Sequence, residues 1–228
     1  MSLKVTNSSS EWTPKYFWLF GALFVIAYLI SNILMPKVFL YKGFAITAGI
    51  FVFPLACILG DVLTEIYGFN NTRKIIWLGL IANVVLILST KLAMMLPVSL
   101  NPEIDTAINV LFELTPRIAL ASFIAYLVGE FSNSYIVSKM KIKQKGKNFG
   151  LRAIFSTFVG QFFDSFLVNA IAFYGVFENK ILLMLMLSDW AIKLIYEIVA
   201  LPITSKVVKT VKQKEGIEHF DKEDLTLI

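Results

Sequence analysis

Between Leu151 and Phe177 the chain runs almost unbroken through apolar side chains, and Asp164 stands in the middle of them. About 20 apolar residues, rising about 1.5 Å each, are what a helix needs to cross the hydrocarbon of a bilayer. Asp61, Glu130, Asp189, Lys193 and Glu197 lie in comparable stretches. One such charge near the bilayer centre costs about 2.5–3.5 kcal/mol on insertion scales, so a chain that carries several must line a polar interior with them. Function is to be sought in that interior. At 57% hydrophobic and 16% charged, the chain also falls outside soluble domains, in which about 25% of residues are charged.

The punctuation predicts an all-α, polytopic integral membrane protein with six transmembrane helices. The first span covers Tyr16 to Met35 and stops at Pro36; it reads as a retained helix, with no cleavage pattern behind it. The second, Phe44 to Tyr67, contains Pro54 and closes in a polar turn from Gly68 to Lys74. Ile75 to Leu96 is the third. A short amphipathic helix over Thr106 to Leu114 is expected at the surface, followed by spans over Arg117–Val137, Gly150–Phe177 and Ile181–Val208. Residues 15–210 thus form the membrane domain, with a polar tail over 1–14 and a charged tail over 211–228.

An even number of spans places both termini on one side, and the basic residues say which. Lys4, Lys15, Arg73, Lys74, the lysines from Lys139 to Lys147, Arg152, Lys206, Lys209, Lys212, Lys214 and Lys222 fall on one face. Lys37, Lys42, Lys91, Arg117 and Lys180 fall on the other. Cytoplasmic loops carry the excess of Lys and Arg, so both termini are expected in the cytoplasm of a bacterial-type cell membrane. The net charge of +5 then reflects topology. The expected partner is the lipid bilayer, whose anionic headgroups the lysine-rich loop attracts, and not nucleic acid.

Within the spans the polar residues form faces. Thr157, Gln161, Asp164, Ser165 and Asn169 recur at intervals of three and four, which puts them on one side of a helix. Asp164 would lie about 21 Å from the cytoplasmic start of its span and Asp189 about 12 Å from the outer end of the next, so the two reach a similar depth and can line one cavity. Asp189, Lys193 and Glu197 are spaced by four, so Lys193 is expected to be neutralised within its own helix, either as a structural ion pair or in a substrate or proton role. Ser122, Tyr126, Glu130, Asn133 and Ser134 make another stripe, beside Gly129. Asp61 and Glu65 are like charges four apart, so one of them should find Arg73, Arg152 or a proton. Both fall within about 9 Å of the cytoplasmic end, where a gate is the natural role. Asn32 and Asn83 are further polar candidates, Ser156 and Gly160 fit a packing seam, and Phe162, Phe163, Phe173, Tyr126 or Tyr174 could stack on a flat ligand.

Several chemistries lack the residues they need. The single histidine, His219, stands in the tail, so neither a zinc site nor a serine–histidine dyad can assemble among the spans. The chain has no GxxxxGK[ST] loop and no arginine-rich helix. Cys57, the lone cysteine, reads as a small buried hydrophobe. No cofactor, no metal and no enzymatic reaction are expected, and solute movement is left.

Several segments together carry a resemblance: Phe53-Pro54-Leu55-Ala56-Cys57-Ile58-Leu59-Gly60-Asp61-Val62-Leu63-Thr64-Glu65-Ile66-Tyr67-Gly68, Arg117 to Tyr126 running into Gly129-Glu130, and Leu151-Arg152 through Ser156-Thr157 to Val159-Gly160-Gln161 and Asp164-Ser165. Ile171-Ala172-Phe173, Asp189 with Lys193, Pro202, and Lys214 to Ile217 with Asp221 extend it. On these the chain resembles the YhhQ-type queuosine precursor transporters, also called the vitamin uptake transporter family. The resemblance implies a six-helix carrier importing 7-deazaguanine bases such as preQ0, preQ1 or queuine, with Asp61, Glu130, Gln161, Asp164, Asp189 and Lys193 at family positions. A guanine-like base offers adjacent N–H donors to a carboxylate and a carbonyl to an amide or ammonium. Asp164 is therefore expected to accept from the base, with Gln161 or Asn169 orienting it and Glu130, Tyr126, Asp189 and Lys193 completing the substrate site. Asp61, Glu65 and Glu197 are expected as gate, proton or ion-pair groups. Two other readings stand beside the carrier, alone or as a homo-oligomer: a substrate-binding subunit of an energy-coupling-factor transporter that needs ATPase partners, and a membrane scaffold in which every buried charge is structural.

Overall fold

The structure, a computed structural model, describes residues 4–5, 14–97, 100–112 and 115–218. Helix α1, Phe17–Leu34, leads into a hairpin of strands β2, Val38–Tyr41, and β3, Phe44–Thr47, then a single 3-10 turn, Ala48–Phe51. Six further helices follow: α2 Phe53–Tyr67, α3 Phe69–Met94, α4 Pro102–Phe112, α5 Thr115–Lys143, α6 Phe149–Phe173 and α7 Asn179–Glu215. Strand β1, Lys4–Val5, pairs in parallel with β4, Ile217–Glu218. The expected tail over 211–228 is thus helical as far as Glu215, while His219 and Lys222 lie outside the described residues. The helix expected over Thr106–Leu114 begins earlier, at Pro102, and Leu114 is likewise outside them.

Among the described residues α1, α3, α6 and the Leu120–Lys143 part of α5 are long and apolar enough to cross a membrane. The 15 residues of α2 are fewer than a perpendicular span needs. The 37 residues of α7 suffice in length, but Asp189, Lys193 and Glu197 interrupt its apolar course.

The continuous helix expected from Phe44 to Tyr67 is not formed. Lys42 and Gly43 adopt φ of 49° and 84°, the left-handed pair of a two-residue hairpin turn, and Tyr41 pairs with Phe44 across it. Pro54 sits in the first turn of α2, where its missing N–H leaves nothing unbonded. The proline starts this helix instead of interrupting it. The polar run expected as a turn from Gly68 to Lys74 is a turn only at Gly68 (φ 81°), and Phe69 to Lys74 already belong to α3. Asn70, Asn71 and Thr72 are accommodated there because Asn71 and Thr72 bond back to the carbonyls of Tyr67 and Gly68.

Contacts between helix ends give the helix directions. The ring of Phe17, at the start of α1, meets Tyr67, at the end of α2, edge to face at 5.2 Å. Glu215, at the end of α7, accepts from the Tyr16 N–H at 2.9 Å and the Tyr67 hydroxyl at 3.0 Å. At the opposite end Arg117, starting α5, donates to the last carbonyls of α6, those of Ile171 (2.7 Å) and Tyr174 (2.5 Å). The beginning of α1 and the end of α7 therefore share one end of the molecule.

The bundle is polar inside and apolar outside. Helix α6 buries Arg152, Ser156, Thr157, Gln161, Asp164, Ser165 and Asn169, and turns Leu151, Phe155, Phe158, Phe162 and Phe163 outward. Helices α1 and α3 likewise expose Trp18, Ile26, Ile81, Val85, Leu88 and Leu92. So much contiguous apolar surface suits lipid and not water. Two apolar clusters flank the polar interior, one around Phe24, Leu63, Ile66 and Ile76, the other around Ala121, Ala125, Phe173 and Leu185.

Candidate functional site

A cavity of about 30 Å³ opens between α1, the 47–53 segment, α5, α6 and α7. Its wall includes Tyr28, Asn32, Thr47, Phe53, Ser122, Asp164, Asp189 and Lys193. The 3-10 turn between β3 and α2 borders it through Gly49 and Ile50. The volume suits one or two water molecules.

Lys193 reaches across from α7 to α6, where its Nζ lies 2.8 Å from Asp164 Oδ2 and 3.2 Å from Ser165 Oγ. This corrects the expectation that its own helix neutralises it. On α7 itself, Asp189 Oδ2 accepts from Asn169 Nδ2 at 3.0 Å. Lys193 Nζ also lies 4.2 Å from the centre of the Phe53 ring, a cation–π contact that adds to its stabilisation. Asp189 keeps its other oxygen, Oδ1, buried and unpartnered.

The other wall is an amide and hydroxyl network across three helices. Asn32 of α1 accepts from Ser122 Oγ of α5 at 3.0 Å and donates to Asn83 Oδ1 of α3 at 3.3 Å. Tyr28 packs on Tyr126 with ring centres 4.2 Å apart and planes tilted by 31°.

Of the residues expected to bind substrate, Asp164, Asp189 and Lys193 border the cavity. Asn169 is placed to hold Asp189. Gln161 donates to Cys57 Sγ at 2.8 Å, while Tyr126 and Glu130 are buried further along the bundle. The aromatic rings at the cavity are Tyr28 and Phe53; Phe162, Phe163 and Tyr174 face outward and Phe173 packs in an apolar cluster. Tyr28, four residues before Asn32 on a helical face, was within reach of the spacing argument. Thr47 and Phe53 were not, because the hairpin that delivers them breaks the expected helix.

The gate candidates separate into two groups. Glu65, 1% exposed, is held by Arg152 (2.6 Å), Lys212 (2.6 Å) and Lys141 (3.9 Å), whose Nζ also donates to the Glu65 carbonyl at 2.6 Å. The ends of α2, α5 and α7 and the start of α6 are thereby clasped together. Arg152 also donates to the carbonyl of Lys147 in the connecting turn. Lys141, expected in a basic loop, is buried at 2% exposure, and Arg152, one of the expected partners of Asp61 or Glu65, at 0%. Asp61 and Glu197 lie nearer the middle; Asp61 Oδ1 accepts from Asn133 Nδ2 at 2.7 Å.

The sequence profile described as "Putative vitamin uptake transporter" matches residues 47–207, most of the chain and nearly all of this polar interior. The chain belongs to that family. A protein of Bacillus subtilis (strain 168) named "Probable queuosine precursor transporter" is 27% identical to it over 186 residues, 81% of each chain. No solved structure matches it significantly. Within this transporter the matched stretch supplies Thr47, Asp164, Asp189 and Lys193 to the cavity, while Tyr28 and Asn32 of α1 precede it.

Proposed function

We propose that this transporter imports 7-deazaguanine queuosine precursors across the cytoplasmic membrane and binds them between Asp164, Asp189 and Lys193. The observation that carries the reading is the Asp164–Lys193 pair at a cavity, next to an Asp189 carboxylate with one free oxygen. A guanine-like ring presents two adjacent N–H donors and a carbonyl. A carboxylate accepts from the first two and the ammonium donates to the third. Asn32 and Ser122 can add orienting hydrogen bonds, and Phe53 or Tyr28 a stacking face. Entry of the base requires the walls to part. The crossings of this carrier are α1, α2, α3, α5, α6 and α7, with the end that holds Glu65 in the cytoplasm, as the excess of lysine and arginine on that side favours.

The test is uptake of labelled queuine by the purified chain in liposomes, without partner proteins. Saturable uptake that Asp164→Ala abolishes, at unchanged membrane abundance, is expected. Normal transport by Asp164→Ala would remove the site, and uptake that needs added ATPases would replace the carrier by a binding subunit.

A further inference from the structure

The cavity is one end of a longer buried polar column. Beyond the Asp164–Lys193 pair lie Glu130 on α5, Glu197 on α7 and Asp61 on α2, 4%, 1% and 0% exposed. Among the described residues none of the three pairs with a cation, because Lys193 is taken by Asp164 and Arg152, Lys141 and Lys212 by Glu65. Each acid leaves one oxygen buried and unpartnered: Glu130 Oε1, Glu197 Oε1 and Asp61 Oδ2. Asn133 Oδ1 and Thr157 Oγ1, on side chains 0% and 1% exposed, are unpartnered as well.

The acids face one another across three helices. Asp61 Oδ1 accepts from Asn133 Nδ2 at 2.7 Å, and the charges of Glu197 of α7, Glu130 of α5 and Glu65 of its own helix act on it through space. Glu130 is hydrogen-bonded by Ser134 and feels the charges of Asp164 of α6 and Glu197 of α7. Its Oε1 occupies the notch above Gly60, the residue before Asp61, where a Cβ would collide with it. From α1, Phe24 packs against Gly60, and Gly79 of α3 lies against Phe24, Tyr28 and the Tyr126 hydroxyl.

Several uncompensated carboxylates in a low-dielectric interior are each costly and repel one another. Among the described residues no group of three or more acids is arranged to hold a metal ion. A proton needs no coordination shell. We propose that Glu130, Glu197 and Asp61 form a proton-binding site that couples transport to the proton gradient, an inference that rests on the carrier function proposed above. One proton from the side of the cavity binds a carboxylate oxygen of this group and is released on the other side of the membrane. Coupling follows from Lys193. When its ammonium turns to the carbonyl of a bound base, the charge of Asp164 bears on Glu130, whose helix it touches at Gly129, and favours the protonated group.

In liposomes with one proton carried per molecule, an inside-alkaline gradient of about one pH unit supports about tenfold accumulation of labelled queuine. Asp61→Asn and Glu197→Gln are expected to lose that accumulation while still exchanging labelled for unlabelled queuine. A second readout needs no substrate: the infrared spectrum of the purified protein at neutral pH should contain a protonated-carboxyl band that Glu130→Gln diminishes. Accumulation indifferent to the gradient, or retained in both transport variants, would overturn the coupling, and so would the absence of the band. If the wild type exchanges no queuine at all, the carrier reading fails, and the infrared band alone then decides whether the proton site exists.

Discussion

Gly129 of α5 and Gly160 of α6 meet backbone to backbone: a Cβ on Gly129 would lie 3.0 Å from the Gly160 carbonyl oxygen, and one on Gly160 would lie 2.9 Å from that of Gly129. The same Gly129 Cβ would come within 2.7 Å of Asp164 Cβ. The seam therefore sets how deeply Asp164 is pressed into the interior. Gly129→Ala and Gly160→Ala should each destabilise by about 1–3 kcal/mol, the usual cost of overpacking. Thermal melting in detergent reads this, and unchanged midpoints would show that the helices separate freely.

The Asp164–Lys193 pair gives a second prediction. Lys193→Met strands a buried carboxylate, a loss of about 3–5 kcal/mol when one partner of a buried pair is removed. Asp164→Asn together with Lys193→Met should be less destabilised than the sum of the single changes, because neither charge is then left alone. A double-mutant cycle on melting free energies checks it, and simple additivity would mean the two side chains are not coupled.

At the other end, Glu65→Gln should be the most damaging change in its cluster, since it leaves Arg152, Lys141 and Lys212 facing one another. About 3–5 kcal/mol is expected. Lys212→Met should cost less, because its side chain is 12% exposed and two other cations remain. A reversed ranking in denaturation experiments would mean that Glu65 is not the hub.

Asn32 supports the cavity without carrying charge. Asn32→Ala removes the acceptor of Ser122 and the donor to Asn83, a loss of about 1.4 kcal/mol at the site, or about tenfold in the half-saturating concentration for queuine uptake. The ratio of uptake parameters between wild type and variant decides it. An unaltered half-saturation would place the base elsewhere.

How much of this was legible in the sequence depended on the distance over which each contact acts. The inward face of α6 follows from a spacing of three and four, so Thr157, Gln161, Asp164, Ser165 and Asn169 could be placed together before any coordinates, and all are buried. The hairpin of Val38–Thr47 was missed because an apolar run with β-branched and aromatic residues reads equally as helix or strand. Only the two-residue turn at Lys42-Gly43 pointed to the hairpin. Glu65 could be expected to find Arg152, but Lys141 and Lys212 were counted with the solvated basic residues. Nothing local in the chain tells a lysine that ends a helix at the surface from one folded back onto a buried acid.

The long apolar helices and the polar faces of α5, α6 and α7 were legible in the sequence alone, because hydropathy and helical period act within a few turns of chain. The tertiary structure decided which charge meets which. Lys193 takes Asp164 from another helix although Asp189 and Glu197 stand four residues away on its own, and the acids left without a cation are those that helix packing isolates. Side chains distant in sequence become neighbours only through the packing of whole helices, and a charge in a low-dielectric interior is governed by its nearest neighbours in space.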